Sequence, residues 1–323
     1  MNTVNLKPHN YKAPVQSHWT GRATPAEDGL QYWYQQINCH DLLDDVVPSC
    51  DVAILGYACD EGVRRNQGRV GAVDGPEYSK KKLARLAYHH SKKIADVGDI
   101  ICVGESLEEC QEALAAAVHV LIESSIFPIV IGGGHDIAYG HFSGIHRAVN
   151  QENGKIGIIN FDAHFDLRPS TNMANSGTPF YQILSEHQET TDYLAIGIQA
   201  ASNTPSLFNL ANQFAADYIL IDQCEMNNAT AILNRLQAFL SDKDHIYITI
   251  DIDGISSAFA PGSSAPSPLG FTPRFLFHCL DYLMRSNKVI SCDIAEFNPS
   301  YDQDGVTANL VARIVDHIVK NLP

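Results

Sequence analysis

Short apolar runs alternate along the chain with longer amphipathic stretches. Each run is four to seven residues long, nearly continuous and mostly rich in β-branched residues. Such runs are typical of strands that are covered on both faces, as the strands of a parallel sheet are. The pattern therefore predicts seven buried strands, at residues 51–56, 127–131, 155–161, 193–198, 218–221, 245–250 and 289–292.

The stretches between these runs show helical periodicity. Ser106 and Glu109 have the spacing of a capping box, and apolar residues recur behind them at helical intervals. A second apolar stripe closes the chain, with Asp304 near its start. The two stripes are Leu107, Cys110, Leu114, Ala117, Val118 and Leu121, and Val311, Ile314, Val315, Ile318 and Leu322. This alternation predicts an α/β fold with one doubly wound, mostly parallel sheet and helices on both faces.

No internal repeat, low-complexity tract or linker-like change of composition interrupts the alternation. We therefore predict a single domain over residues 1–323, although the length would also allow two ordinary domains. Residues 256–272 are rich in proline, serine and glycine, and they are the best candidate for a long functional loop.

Composition narrows the classes of function. The chain has 22 Lys and Arg against 37 Asp and Glu, a net charge of −15, which argues against binding nucleic acid or anionic membranes. No apolar stretch approaches the roughly 18 residues of a membrane-spanning helix, and the polar N-terminus lacks a secretory apolar core. The eight cysteines include no C-x-x-C pair and indicate buried thiols in a reducing compartment. We expect a soluble, cytoplasmic protein.

Potential metal ligands follow three of the predicted strands. In open α/β sheets, ligands bind in the crevice beyond the carboxyl ends of the strands. If the chain stays extended, alternate residues after a strand point to the same side. The clusters are His135 and Asp136 after strand 127–131, Asp162, His164 and Asp166 after strand 155–161, and Asp251 and Asp253 after strand 245–250.

These clusters predict a dinuclear metal site. Gathered carboxylates repel one another and need a positive charge, which divalent cations supply. Four carboxylates and two imidazoles without a thiolate favour Mn²⁺ over structural Zn²⁺. With bridging carboxylates, six ligands suit two ions about 3.5–4 Å apart, which lower the pKa of a bridging water. The predicted ligands are His135, Asp162, His164, Asp166, Asp251 and Asp253.

Two residue groups at these strand ends have simpler explanations. A single aspartate after a strand is usually a cap or a turn residue, and we predict Asp136 as the N-cap of the following helix. The glycines at 132–134 are not followed by the Lys-Ser/Thr of a P-loop. They are better explained as letting the backbone approach the metals and turn into the helix.

At this point the sequence resembles the ureohydrolase superfamily, which contains arginase, agmatinase and formimidoylglutamase. The similar segments are GGGHD at 132–136, NFDAHFD at 160–166, TIDIDGISSAFAPG at 249–262 and AEFNP at 295–299. They occur in the order found in the family. The resemblance implies an arginase-like fold, and it implies that the six predicted ligands are the family's two-manganese set.

Finer features resemble the formimidoylglutamase branch. They are residues 19–22, 62–72 with 74–76, 176–180 and 264–266. Arginase and agmatinase commonly carry a histidine where this chain has Ser176, so the resemblance argues against those two activities. Many relatives also read Asp-Pro where this chain has Ser256 and Ser257.

The resemblance implies hydrolysis of N-formimidoyl-L-glutamate to L-glutamate and formamide in histidine degradation, by attack of a metal-bridging hydroxide on the formimidoyl carbon. Glu296 would contact the cationic amidine-like group, and Asp166 would ligate metal and carry a proton. Arginines of the glycine-rich loop suit bidentate binding of the substrate carboxylates, although a solvated basic loop would look the same. The predicted substrate contacts are Arg69, Arg64, Arg65, Asn66, Ser176 and Gln199.

Other functions remain open at this stage. One is hydrolysis of another guanidino or amidino compound, as by an agmatinase- or guanidinobutyrase-like enzyme. Another is an inactive binding protein on the same fold, although none of its six ligands is damaged. A nucleotide-binding oxidoreductase would need G-x-G-x-x-G after the first strand, where the chain reads GYACDEGVRRNQG. Relatives are often oligomers, so a homo-oligomer is possible.

Overall fold

A single ten-stranded sheet runs through the part of the chain that the computed structural model describes, residues 6–44, 46–149, 154–170 and 173–323. Each of the seven predicted strands is present, with its ends within three residues of the prediction. The strands are β1 (Tyr11–Lys12), β2 (Asn38–Cys39), β3 (Val52–Ala58), β4 (Ile94–Ile101), β5 (Phe127–Ile131), β6 (Ile156–Phe161), β7 (Thr191–Ile198), β8 (Asp217–Leu220), β9 (His245–Asp251) and β10 (Val289–Ala295).

The strand order is β1-β4-β3-β5-β10-β9-β6-β7-β8. Strand β2 also pairs with β4, along residues that β1 does not pair with. Only β1 runs antiparallel to its neighbour among these strands. The prediction of a mostly parallel sheet is therefore confirmed. Because β10 inserts between β5 and β9, the carboxyl ends of β5, β10, β9 and β6 lie side by side.

Helices cover both faces of the sheet. Side chains alternate along each strand, so that Ile54 packs into one buried cluster and Leu55 into the other. Helices α3, α8, α9 and α10 contribute to the first cluster, and α4 to α7 contribute to the second. The described helices are α1 (Trp33–Gln36), α2 (Glu61–Arg65), α3 (Gly75–Leu83), α4 (Leu107–Glu123), α5 (Ile137–Val149), α6 (Pro179–His187), α7 (Pro205–Gln213), α8 (Ala229–Leu240), α9 (Pro273–Met284) and α10 (Val306–Asn321).

The hydrophobic pattern did not predict strand β4, because this strand carries a buried ion cluster. Lys80, which is 1% exposed, places Nζ 2.6 Å from Oδ1 of Asp96 and 2.8 Å from Oδ1 of Asp99. Burial lowers the pKa of Lys80, but the two carboxylates outweigh burial and raise it above its ordinary value. The lysine therefore stays charged inside the fold and allows two aspartates in a buried strand.

One helix start differs from the sequence prediction. The side chain of Ser106 makes no capping hydrogen bond at the start of α4, so the predicted capping box is wrong. Its second member, Glu109, instead accepts a hydrogen bond from Lys7 at 3.2 Å. Asp304 lies near the start of α10, as predicted, and the backbone N–H groups of Thr307 and Ala308 in this helix donate to Asp302. Both α-helical stripes are otherwise buried, except for Leu322, which lies just beyond α10 and is partly buried.

The proline- and serine-rich segment 256–272 folds back beside the ends of β6 and β9. Backbone bridges join Ile255 to Phe271 and Ser256 to Ser267, which close the segment into a long loop. Within the described residues, no helix is long and apolar enough to cross a membrane.

Candidate metal centre and substrate cleft

Polar side chains lie at the carboxyl ends of four neighbouring strands, at one end of the sheet. His135 follows β5, Asp162 follows β6, Asp251 ends β9 and Glu296 follows β10. The connection from β5 needs glycine, because Gly133 has φ +70° and a Cβ there would lie 2.5 Å from the ring of Tyr57. The tight turn places His135 directly over the ends of β6 and β9.

A first ligand group converges on the ring of His135. Its Nδ1 atom lies 3.1 Å from Oδ2 of Asp162, 3.0 Å from Oδ2 of Asp166 and 3.1 Å from Oδ2 of Asp251. The four ligand atoms lie within 4.8 Å of one another. Nδ1 is buried and lacks a hydrogen-bond partner among the described residues, since none of these oxygens is aligned with it. An imidazole nitrogen that lies within 3.1 Å of three carboxylate oxygens without a hydrogen bond to any of them is an arrangement that a cation would complete.

A second group shares Asp162 with the first. The Nδ1 atom of His164 lies 3.5 Å from Oδ1 of Asp162 and 3.1 Å from Oδ2 of Asp253. The other oxygen of Asp253 is buried and has no partner among the described residues. Because the two oxygens of Asp162 face different groups, this carboxylate can bridge two cations. The structure thus brings all six predicted ligands together.

The electrostatics of the cluster show a need for positive charge. Burial, together with the neighbouring aspartates, raises the pKa of Asp251 well above its ordinary value and also raises those of Asp166 and Asp253. The charge of Asp253 raises the pKa of His164. Two divalent cations would offset the four carboxylates. Oxygen and imidazole donors without a thiolate fit Mn²⁺ chemistry.

A hydrogen-bonded chain behind His135 orients its ring. Nε2 of His135 lies 2.9 Å from Oγ1 of Thr249, and that hydroxyl donates to Oδ1 of Asp293 at 2.6 Å. The second oxygen of Asp293 accepts from Tyr247 and lies 2.7 Å from Nδ1 of His141. Because Thr249 donates its only proton to Asp293, it accepts from Nε2–H of His135, which leaves Nδ1 unprotonated for a metal.

Sequence reasoning missed this chain. His141, in the helical stretch that follows β5, is fully buried and paired with Asp293. A signal was available, because Thr249 and Asp251 share one face of β9 and Asp293 is the one charged residue of β10.

Asp136 does not cap α5, contrary to the prediction. It is fully buried, and its Oδ2 accepts a hydrogen bond from the hydroxyl of Tyr57 at 2.8 Å. Its Oδ1 packs so closely on Gly62 that a Cβ there would lie 1.9 Å away. Burial raises the pKa of Asp136 well above its ordinary value. The carboxyl group therefore joins β3 and α2 to the His135 turn, away from the N–H groups of the helix.

Glu296 lies beside the first ligand group in a strained backbone conformation. Its φ is +63°, which is unusual for a residue other than glycine, and Asp166 shares this feature with φ +47°. Oε1 of Glu296 accepts from the backbone N–H of His135 at 2.9 Å, and Oε2 has no partner among the described residues. Burial raises the pKa of Glu296 to about 8. The fold thus holds a carboxyl group at the cleft with one oxygen free.

A cleft of about 270 Å³ opens over the ligands. This size suits a small amino-acid derivative rather than a nucleotide or a peptide. Its lining residues are Asn66, Gln67, Gly68, Arg69, His164, Asp166, Arg168, Ser176, Asp251, Asp253, Ser264, Ala265 and Glu296.

The predicted substrate-binding arginines divide into two kinds. Arg64 pairs with Glu61 at 2.7 Å and with Glu105 at 3.1 Å. Arg65 pairs with Glu61 at 2.8 Å and with Glu108 at 2.6 Å. Neither lines the cleft. Their charges are already used to hold α2 against the segment that leads into α4.

Arg69 does line the cleft, where it organises the loop 256–272. Its Nε donates to the carbonyl of Ser264 at 2.8 Å and its Nη2 to that of Ser263 at 2.6 Å. The guanidinium also lies 3.8 Å from the ring centroid of Tyr301. Gln199 has a related role outside the lining, because its Oε1 accepts from Ser267 of the same loop at 2.9 Å.

Arg168 is a cleft residue that sequence reasoning missed. Its Nη1 donates to Oδ1 of Asn66 at 2.6 Å, and Asn66 donates through Nδ2 to Oγ of Ser176 at 3.0 Å. No carboxylate of the described residues forms an ion pair with Arg168, so its charge is available. The signal was its position two residues after Asp166.

Comparison with known proteins agrees with this geometry. The model of the Arginase family matches residues 50–320. Formimidoylglutamase of Clostridium tetani is 40% identical over 97% of this chain and 96% of the relative. A crystal structure of Trypanosoma cruzi formiminoglutamase with Mn²⁺ matches with a TM-score of 0.78 at 26% identity, over 87% of this chain and 97% of that one.

The fold agrees with a further solved structure. Formimidoylglutamase from Bacillus subtilis matches with a TM-score of 0.82 at 21% identity, over 93% of this chain and 94% of that one. The predicted arginase-like fold is confirmed.

Proposed function

The chain belongs to the arginase family, and we propose that it is a formimidoylglutamase, a hydrolase of C–N bonds in linear amidines. It converts N-formimidoyl-L-glutamate and water to L-glutamate and formamide, a reaction of histidine degradation. The observation that carries this proposal is a pair of hard-ligand groups that share Asp162 beneath a cleft with an unpaired arginine. Full-length similarity to formimidoylglutamases supports the same substrate.

We propose that the chain binds two Mn²⁺ ions. One is held by His135, Asp162, Asp166 and Asp251, and the other by Asp162, His164 and Asp253. The structure of the Trypanosoma cruzi relative with Mn²⁺ supports this choice of metal. When bound, the ions supply a water molecule whose pKa is lowered toward neutrality and which serves as the nucleophile.

The reacting group is placed by two carboxyl groups of the cleft. Glu296 receives the cationic amidine, because its free Oε2 lies at the cleft while the N–H of His135 fixes Oε1. Asp166 accepts a proton from the attacking water and passes it to the leaving α-nitrogen of glutamate. Ser176 stands where arginase and agmatinase commonly carry histidine. It therefore leaves this proton transfer to Asp166.

We propose that Arg168 binds a carboxylate of the glutamate portion, in place of Arg64 and Arg65. The protein carries a net charge of −15, so a substrate with two carboxylates needs a local cation. Arg168 has this free charge, and Asn66 and Ser176 extend the polar rim beside it. Arg69 also lines the cleft, holds the carbonyls of Ser263 and Ser264, and offers the second positive charge.

A side-by-side assay tests this function. The purified, manganese-loaded protein is given formimidoylglutamate, arginine and agmatine. We expect formamide release from formimidoylglutamate and no urea from the other two. Turnover of arginine or agmatine alone would contradict the proposed substrate. The cytoplasmic location and the homo-oligomer stay predictions.

A further inference from the structure

Three cysteines meet away from the proposed active site. Cys59 directly follows β3, Cys102 directly follows β4, and Cys110 lies in the first turn of α4. The strands are neighbours, and Ala58 pairs with Ile101 just before the two cysteines. All three thiols are free, and their Sγ atoms lie within 4.8 Å of one another.

The environment of these thiols favours one thiolate that solvent can reach. Cys59 and Cys110 are buried, whereas Cys102 is partly exposed. Hydrogen bonds from Cys110 and Cys59 lower the pKa of Cys102 to about 4. The same interaction with Cys102 raises the pKa of Cys59 to about 12. The cluster therefore combines a negative charge and an entry path with two more sulfur ligands behind it.

We infer that Cys59, Cys102 and Cys110 form a binding site for a soft, thiophilic cation of the Cu⁺ and Cd²⁺ class. Sulfur ligands select soft ions, whereas the Asp/His groups of the cleft select hard ones. A metal–sulfur distance of about 2.3 Å would place three ligating sulfurs about 4 Å apart. This spacing requires only small side-chain movements from the 4.8 Å limit that the structure sets.

Filling this site would join three structural elements. The sulfurs come from the ends of β3 and β4 and from the start of α4. The backbone carbonyl of Cys59 also accepts the N–H of Gly134 at 3.0 Å, next to His135. Because the unfolded chain does not hold the three sulfurs together, an ion bound here stabilises the folded state.

A titration of the full-length, manganese-loaded protein with Cd²⁺ under anaerobic, reducing conditions tests the inference. We expect one equivalent of Cd²⁺ to produce an ultraviolet sulfur-to-cadmium charge-transfer band without release of manganese. In Cys102→Ser, binding should weaken by more than about 100-fold, because a ligand is lost. Cys50→Ser is the matched control, since Cys50 is also partly exposed but lies outside the cluster, and it should bind like the parent.

A second measurement uses the unaltered chain. One equivalent of Cd²⁺ should protect Cys102 from alkylation, as mapped by mass spectrometry, and should leave Cys50 reactive to the same degree. The absence of a charge-transfer band would overturn the inference. So would manganese release in its place, an equal band in Cys102→Ser, or unprotected Cys102.

Discussion

The hydrogen-bonded chain behind His135 should control the affinity of the first metal position. The perturbation is Asp293→Asn, which keeps the shape of the side chain and removes its charge. Asp293 is fully buried and accepts from Thr249 at 2.6 Å, with His141 at 2.7 Å on the other side. An amide offers one acceptor oxygen, so its NH₂ group must face a donor on one of the two sides.

The size of the effect follows from what the network does. Once Asp293 no longer holds the proton of Thr249, the hydroxyl can turn and Nε2 of His135 loses its fixed acceptor. Changes to such partners of a metal ligand typically cost about 10- to 100-fold in affinity, which is about 1.4 to 2.8 kcal/mol. We expect this loss for the ion beside His135. The ion beside His164 should keep its affinity.

The assay is isothermal titration of the metal-free protein with Mn²⁺, which resolves two binding steps of different affinity. Thr249→Val should weaken the same step as Asp293→Asn, because it breaks the same link. Ser291→Ala is the control, since Ser291 contacts only the far nitrogen of His141 in this chain of bonds. If Asp293→Asn bound manganese with unchanged affinity and only its free energy of unfolding were lower, the reasoning would be refuted. The hydrogen-bonded chain would then only stabilise the fold.

Three further predictions concern the cleft and the fold. Arg168→Ala should raise KM for formimidoylglutamate by roughly 10- to 100-fold, which is the contribution of a hydrogen bond to a charged group. Arg64→Ala should leave KM unchanged, because Arg64 is paired outside the cleft. Equal effects of the two substitutions on KM would argue against Arg168 as a substrate contact. Lys80→Met should lower the free energy of unfolding, measured by urea denaturation, by about 3–5 kcal/mol, because it leaves two buried carboxylates unpaired. A loss below about 1 kcal/mol would contradict a charged cluster at this position. Arg64 and Arg65 lower the pKa of Glu61 in the folded state. The ionised Glu61 therefore stabilises the fold at pH values above its unfolded pKa of about 4.3, and this stabilisation disappears as the pH falls through its lower folded pKa. Glu61→Gln should therefore lose less stability than the parent between neutral and acidic pH, and parallel pH profiles would contradict this.

The sequence predicted most of the sheet and both ligand groups because each signal was local. The buried strands are continuous apolar runs, and the six ligands follow three of them within a few residues. Strand β4 was hidden because Asp96 and Asp99 look polar until the fold brings Lys80 between them. The single domain stays a prediction.

Sequence reasoning was weakest where long-range pairing decides the role of a residue. Arg64 and Arg65 resembled substrate ligands, but Glu105 and Glu108 reach them only in the folded chain. Arg168 became a candidate because no such partner approaches it among the described residues. Asp136 has a sequence position typical of a helix cap, yet close packing on Gly62 and the Tyr57 hydroxyl give it a buried role.

The central claim is that one carboxylate, Asp162, joins two cation positions of different composition. Anomalous diffraction at the manganese edge, from crystals grown with excess Mn²⁺, tests it most directly. The account predicts two peaks in each chain, one against His135 and one against His164, with one oxygen of Asp162 facing each peak. A single peak, or two peaks that do not share Asp162, would contradict it.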